Sequence, residues 1–160
     1  MTRLVDHGIS IDVPSGWEAR MSVPGLAPPA VNLPVLHMAD YRLTHARQSS
    51  YAVETAAAME QRTGGVIVSL IEFDPALANI GLYAPQGAPT LLARDLDARA
   101  LQIPRPDQGG VQRFFSMSGR AFSLYVVASI DRASERRIGA VNDSLASLQV
   151  EPAPLPEDPA

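Results

Sequence analysis

Hydrophobic and polar residues alternate along Ile9–Val13, where isoleucine and valine are separated by serine and aspartate. A period of two predicts a strand with one apolar and one wet face. Pro14–Gly16 follows with the backbone preferences of a tight turn. We therefore expect a β-hairpin over residues 8–21. Its return strand carries Trp17, which is expected to be a core or core-edge residue or, alternatively, a platform on which a ligand stacks.

Three later stretches have strand character. Residues 35–43 form a plausible strand, and the nearly continuous β-branched run 66–73 is typical of a central strand covered on both faces. In residues 111–130, two β-rich runs flank Ser118–Gly119, which is the signature of a short hairpin. The second of these runs also has two apolar faces, which predicts another central strand.

Two helices are predicted. The alanine-rich segment from Ser50 to Arg62 has strong helix propensity and is followed by two glycines suited to ending a helix. The second helix is predicted within residues 132–150, where apolar side chains recur three and four positions apart. That stripe consists of Ile138, Val141, Leu145 and Leu148.

The remaining segments are predicted as loops or stay unassigned. Four prolines in residues 22–34 indicate an extended surface loop. Residues 74–110 match neither the helix period nor the strand period. Residues 151–160 contain four prolines and predict a disordered, polyproline-like tail.

This order of elements is not an alternating βαβ pattern, so we expect an α+β fold: one twisted antiparallel β-sheet covered by helices. At 160 residues the chain is long enough for one domain with a sizeable core. We place that single domain at residues 1–150 and the tail at 151–160. No apolar run approaches the length of a membrane span, and no export signal precedes the first strand. The expected location is the cytoplasm, without membrane insertion.

Composition limits the chemistry that this chain can perform. It contains no cysteine, which excludes disulfides and thiolate metal sites. All 13 basic residues are arginines, which is typical of GC-rich bacterial genomes or, alternatively, of an anion-binding surface. Residues 1–150 carry 14 acidic residues (17 less the three in the tail) against 13 arginines, so the domain lacks the basic excess of a nucleic-acid binder.

No catalytic motif is present. His37 and Asp40 are three apart on a predicted strand and face opposite sides, so a metal site with His45 is not expected. Glu72 and Asp74 could serve acid–base chemistry, but a solvated strand end is the simpler interpretation of that pair. We expect no catalytic residues, no cofactor and no metal.

The spacing from Gly8 to Trp17, with its P-x-G-W turn, resembles the first hairpin of the Mog1/PsbP-like superfamily. The hairpin at Gly119–Arg120, the long apolar strand after it and the terminal helix with AVNDSLASLQV are also similar to bacterial members. The resemblance covers roughly residues 8–21 and 111–150. It implies an α/β/α sandwich, and most members are non-catalytic binding or adaptor proteins. They include a Ran-GTPase binder, photosystem subunits, lipoproteins and secretion chaperones. This chain lacks the lipoprotein branch's signal peptide and lipidated cysteine.

Surface charge supplies the candidate docking residues. The terminal helix begins with clustered arginines, where the helix dipole disfavours cations, so they form either plain surface or a footprint for an anionic partner. The candidate partner-binding residues are Arg113, Arg120, Arg132, Arg136 and Arg137. We therefore predict a non-catalytic protein-binding or adaptor subunit of a bacterial assembly. The alternative is a small-molecule-binding protein or a small hydrolase-like enzyme with a pocket near residues 74–110.

Overall fold

Eight antiparallel strands and one α-helix are seen in the computed structural model, which describes residues 1–25, 27–28, 32–43, 64–101 and 104–153. The strands are β1 (Thr2–Asp6), β2 (Ile9–Val13), β3 (Glu18–Ser22), β4 (Val35–Ala39), β5 (Val66–Phe73), β6 (Gln108–Met117), β7 (Arg120–Ser129) and β8 (Gln149–Val150), and the helix is α1 (Ser134–Ala146). The mixture of strands and helix confirms the α+β class. The predicted helix at 50–62, His45 and tail residues 154–160 lie outside the described residues.

The strands form two sheets, so the prediction of a single layer is wrong. One sheet has the order β1-β2-β8 and the other the order β3-β4-β5-β7-β6. The hairpin predicted over residues 8–21 is also wrong, because β2 pairs with β1 and β8 and not with β3. The turn does form, with the Trp17 N–H donating to the Pro14 carbonyl at 3.0 Å, but it carries the chain from one sheet to the other.

The hairpin that does form at the start joins β1 to β2 through His7 and Gly8. Both residues have positive φ, 50° and 71°, as a two-residue type I′ turn requires. A second turn of this kind, Ser118–Gly119 with φ of 54° and 74°, joins β6 to β7. That hairpin was predicted correctly, as were the central positions of β5 and β7. The strand predicted over 35–43 ends earlier, at Ala39.

The main core lies between the two sheets and beneath α1. Alternate residues of β2 enter it, and the predicted helix stripe is buried, with Val141 fully inaccessible. Phe115 and Phe122 stack at its centre with ring centroids 5.5 Å apart. Trp17 is half-buried and packs against this core, in agreement with its predicted core-edge role.

The described part of the segment that matched no period contains four 3₁₀ turns: Pro75–Leu77, Gly81–Tyr83, Ala93–Asp95 and Ala98–Ala100. Two isolated bridges attach it to β6, Gln86 with Ser116 and Asp97 with Gly110. Such short turns satisfy their own backbone groups without the repeat of a helix or strand, so no sequence period marks them.

Candidate functional site

The loop that follows β5 presents apolar side chains to solvent. Leu77 is 39% exposed, Ile80 59% and Leu82 66%. Asp74 begins the loop, and its carboxylate accepts the Ala76 N–H at 2.9 Å, which fixes the first 3₁₀ turn. Exposed apolar residues this close together are unusual on a free surface and typical of a contact site. We call residues 74–83 the apolar loop.

The base of the apolar loop is anchored on the five-stranded sheet. The Tyr83 ring is buried between Phe73, at 5.8 Å, and Phe114, at 5.5 Å between ring centroids. The Ser116 hydroxyl donates to the Tyr83 carbonyl at 2.6 Å and accepts the Asn79 N–H at 2.8 Å. These contacts hold the loop in one conformation, so a partner would bind it with little loss of loop entropy.

The candidate arginines do not form one surface. Arg120 is buried and paired with Glu72 between the sheets, so it is not available to a partner. The burial of Glu72 also corrects the expectation that this strand end is solvated. Arg113 is exposed on β6, where its guanidinium lies 3.6 Å from the Asp95 carboxylate.

The other three arginines lie at the start of α1. Arg132 and Arg136 are exposed, as expected. Arg137, expected on the solvent side, is largely buried and pairs with Asp131 at 2.8 Å and Asp40 at 3.6 Å. Hydrogen bonds from Arg137 and from the Ala133 N–H lower the pKa of Asp131, which keeps a negative charge beside the helix start.

A row of polar residues crosses the face of the five-stranded sheet that is turned away from the main core. Strand register places its members directly opposite one another, so they share one face. This polar row consists of Arg20, His37, Ser69, Tyr125 and Gln112. Sequence reasoning missed it, because the five residues come from five strands and only the register brings them together.

Burial and the charge of Arg20 lower the pKa of His37 to about 4. The imidazole is therefore neutral at physiological pH. Burial raises the pKa of Tyr125, whose hydroxyl donates to the Ala100 carbonyl at 3.1 Å. At the other end of the row, the Gln112 amide donates to the Ser123 hydroxyl at 3.1 Å.

Histidine and carboxylate positions elsewhere do not suggest a metal centre. His7 lies in the β1–β2 turn, with Nδ1 2.8 Å from a carboxylate oxygen of Asp6. Within the described ranges, no group of three or more histidine, aspartate or glutamate side chains could hold a metal ion. Nor does that part of the chain contain a helix long and apolar enough to cross a membrane.

The class of protein that these observations define is an α+β domain with two antiparallel sheets. Comparison with known proteins identified no relative: no family model, curated protein or solved structure matches the chain. Function therefore has to be argued from the surface itself.

Proposed function

We propose that this chain is a non-catalytic protein-binding adaptor or accessory subunit of a bacterial assembly, acting in the cytoplasm. The observation that carries this proposal is the apolar loop, in which Leu77, Ile80 and Leu82 are exposed on a firmly held backbone. Burying one such side chain against a partner contributes about 1.5–3 kcal/mol. A rigid apolar contact site of this kind fits a protein surface better than a small polar ligand.

The proposed fold is the Mog1/PsbP-like sandwich. It is supported by a short N-terminal hairpin, a Pro14–Trp17 turn and a five-stranded antiparallel sheet, in that order along the chain. The helix α1 packed on one side of this sheet agrees with the same proposal.

Exposed arginines offer a second, separate contact region. The start of α1 lies near the beginning of β5, whereas the apolar loop follows the end of β5. Arg132 and Arg136 project at the start of α1 and suit an acidic patch on the partner. We include Arg113 among the proposed partner-binding residues as a third exposed cation. Arg120 and Arg137 are excluded from the proposed interface, because their guanidinium groups pair with the buried Glu72 and the half-buried Asp40, respectively.

The test is capture of partners from the host by tagged protein, followed by mass spectrometry. Ile80→Asp combined with Leu82→Asp should reduce the captured partner at least tenfold, since two apolar contacts are lost. Ile130→Asp, at a 45% exposed residue outside the loop, is the matched control and should capture normally. Equal capture by wild type and the double variant would reject the apolar loop as the docking site.

A separate pair of variants tests the charged part of the interface. Arg132→Glu with Arg136→Glu should weaken capture and flatten its dependence on salt, because both side chains are exposed at the start of α1. An unchanged salt dependence would remove these arginines from the interface.

The polar row favours a second candidate, a small-molecule-binding or hydrolase-like protein. The row places the Ser69 hydroxyl opposite the neutral imidazole of His37 on neighbouring strands, with Cβ atoms about 5 Å apart in such pairs. A base beside a hydroxyl is the minimum for nucleophilic catalysis. Tyr83 and Ala100, from the 74–110 segment, contact the same face of the sheet.

Hydrolysis of p-nitrophenyl acetate tests this candidate directly. If the protein is a hydrolase, the wild type should turn over this substrate. His37→Ala and Ser69→Ala should each abolish turnover, while His7→Ala, at an exposed histidine, should retain it. Equal rates for wild type and His37→Ala would reject the hydrolase.

A further inference from the structure

Strand β1 is an edge strand, and no other described strand pairs with its outer side. The type I′ turn at His7–Gly8 makes Asp6 and Ile9 a hydrogen-bonded pair, because the turn itself bonds the first residue to the fourth. Hydrogen-bonded and non-bonded pairs then alternate along the hairpin. The backbone groups of Arg3 and Val5 therefore point away from β2, toward the outside.

The contacts on the other side of β2 agree with this alternation. Asp12, the partner of Arg3, turns its N–H away from β1 and donates it to the Ser147 hydroxyl at 2.8 Å. Ser10, the partner of Val5, pairs with β8. In the described part of the chain, no backbone hydrogen bond reaches the outward groups of Arg3 or Val5.

Within the described residues, β1 has little of the usual protection of a sheet edge. Edges are blunted by proline, by bulges, by covering loops or by a charged side chain at the rim. β1 has no proline and pairs without a bulge. Its one cation, Arg3, is turned back over the sheet, where its guanidinium bonds Asp12 at 2.7 Å, Ser10 at 3.0 Å and Gln149 at 2.9 Å.

The opposite situation holds at β6, one of the two edge strands of the larger sheet. Bridges to Gln86 and Asp97 cover parts of its outer side, and the Arg113 side chain donates to the Gln112 carbonyl at 2.9 Å. Among the described residues, therefore, contacts cover part of β6 but none pairs with the outer side of β1, where Val5 is 69% exposed.

We propose that β1 pairs antiparallel with β1 of a second copy, around a two-fold axis at Leu4. This register sets Arg3 opposite Val5 of the other copy, and both residues offer outward backbone groups. The two symmetric pairs form four backbone hydrogen bonds and join two three-stranded sheets into one of six strands. An isologous contact of this kind closes on itself and does not propagate into a fibre.

Side-chain chemistry selects this register over its neighbours. Leu4, half-buried on the core side of β1, meets Leu4 of the second copy, and Thr2 meets an Asp6 carboxylate. Shifting the pairing by two residues in one direction sets Arg3 opposite Arg3, where like charges repel. The shift in the other direction sets Arg3 opposite His7, whose φ of 50° places it in the turn where the ladder ends.

The test is sedimentation equilibrium of the whole chain over a concentration series. An edge-to-edge contact is small, so we expect a micromolar dimer, with the mass rising from 17.1 kDa toward about twice that value. Val5→Lys puts a cation opposite Arg3 in both pairs and should raise the dissociation constant at least tenfold. Val5→Glu puts a carboxylate there and should keep or tighten the dimer.

Two more variants separate the edge from general surface effects. Val5→Pro removes an outward N–H without touching the bonds to β2, and should also abolish the dimer. Ile130→Lys, at an exposed apolar residue outside both β1 and the apolar loop, should leave it unchanged. A wild-type monomer at every concentration, or a dimer unaffected by Val5→Lys, would overturn the proposal. Circular dichroism of each variant confirms that folding is preserved.

Discussion

Arg120 and Glu72 form a buried ion pair that joins the two sheets. The guanidinium Nε and Nη2 donate to the two carboxylate oxygens at 2.8 and 2.6 Å. The same guanidinium donates to the carbonyls of His7 at 3.1 Å, Gly8 at 3.4 Å and Glu151 at 3.2 Å. One side chain of β7 thereby holds the β1–β2 turn and the chain just after β8, and this explains why a cation is retained inside the protein.

Removing the charge of Glu72 should destabilise the fold. Glu72→Gln leaves the buried Arg120 cation without its counter-charge, and the expected loss in the free energy of unfolding is about 3 kcal/mol. Urea denaturation followed by circular dichroism measures it. The double variant Glu72→Met with Arg120→Met removes both charges and should lose less than the sum of the two single variants. Strict additivity would show that the pair does not act as a unit.

Trp17 is expected to contribute less than a fully buried tryptophan. Trp17→Ala should lower the free energy of unfolding by about 2–3 kcal/mol, below the 3–5 kcal/mol typical of full burial, because one part of the indole stays in water. Trp17→Phe keeps most of the contact and is the matched control. Both are measured by circular dichroism, since Trp17 is the only tryptophan. A loss below about 1 kcal/mol for Trp17→Ala would contradict the packing against the core.

His37 should make stability depend on pH. Its pKa is about 4 in the folded protein, against 6.5 for the free side chain. Between these values the unfolded chain binds a proton that the folded chain refuses, so stability is complete above pH 6.5 and falls as the pH drops toward 4. The expected loss is about 1–3 kcal/mol after allowance for partial exposure. His37→Gln should remove this component of the pH profile, whereas His7→Gln should retain it. Identical profiles for wild type and His37→Gln would contradict the lowered pKa.

Local patterns predicted the elements whose signals lie within a few residues. The helix stripe from Ile138 to Leu145 and the Ser118–Gly119 hairpin depend on neighbouring positions, and both are found as expected. Strand pairing is a different matter. The alternation in β2 predicts which side chains are buried, but it does not say which strand lies alongside, and the partner proved to be Thr2–Asp6. That edge strand is mostly exposed and so has no apolar pattern to reveal it.

The candidate sites were missed for the same reason. In the sequence, the Glu72 carboxylate at a strand end has the pattern of a solvated charge. Its partner Arg120 lies 48 positions later, and only the pairing of the strands brings the two side chains together. The polar row likewise depends on the alignment of five strands. The apolar loop lies in a segment without a sequence period. The exposure of its apolar side chains depends on 3₁₀ turns and on the anchoring of Tyr83, and neither produces a repeating pattern.

Two glycines should respond to alanine in opposite directions. Gly139 lies exposed in α1, and a Cβ added there meets nothing within 4 Å. Gly139→Ala should therefore raise the free energy of unfolding by about 0.5–1 kcal/mol through helix propensity. Urea denaturation of this variant, with unchanged circular dichroism, measures the gain.

Gly109 is the opposite case to Gly139, because neighbouring backbone atoms leave no room for a Cβ atom. A Cβ on this residue of β6 would lie 2.9 Å from the Asp97 nitrogen and from two carbons of Leu96. Because backbone atoms cannot swing aside like a side-chain tip, Gly109→Ala should push the Leu96–Asp97 turn off the strand and cost about 1–3 kcal/mol. The bridge between Asp97 and Gly110 should open at the same time, which amide hydrogen exchange at these two residues would detect. Undiminished stability with full protection there would mean that the turn does not lie against β6 in solution.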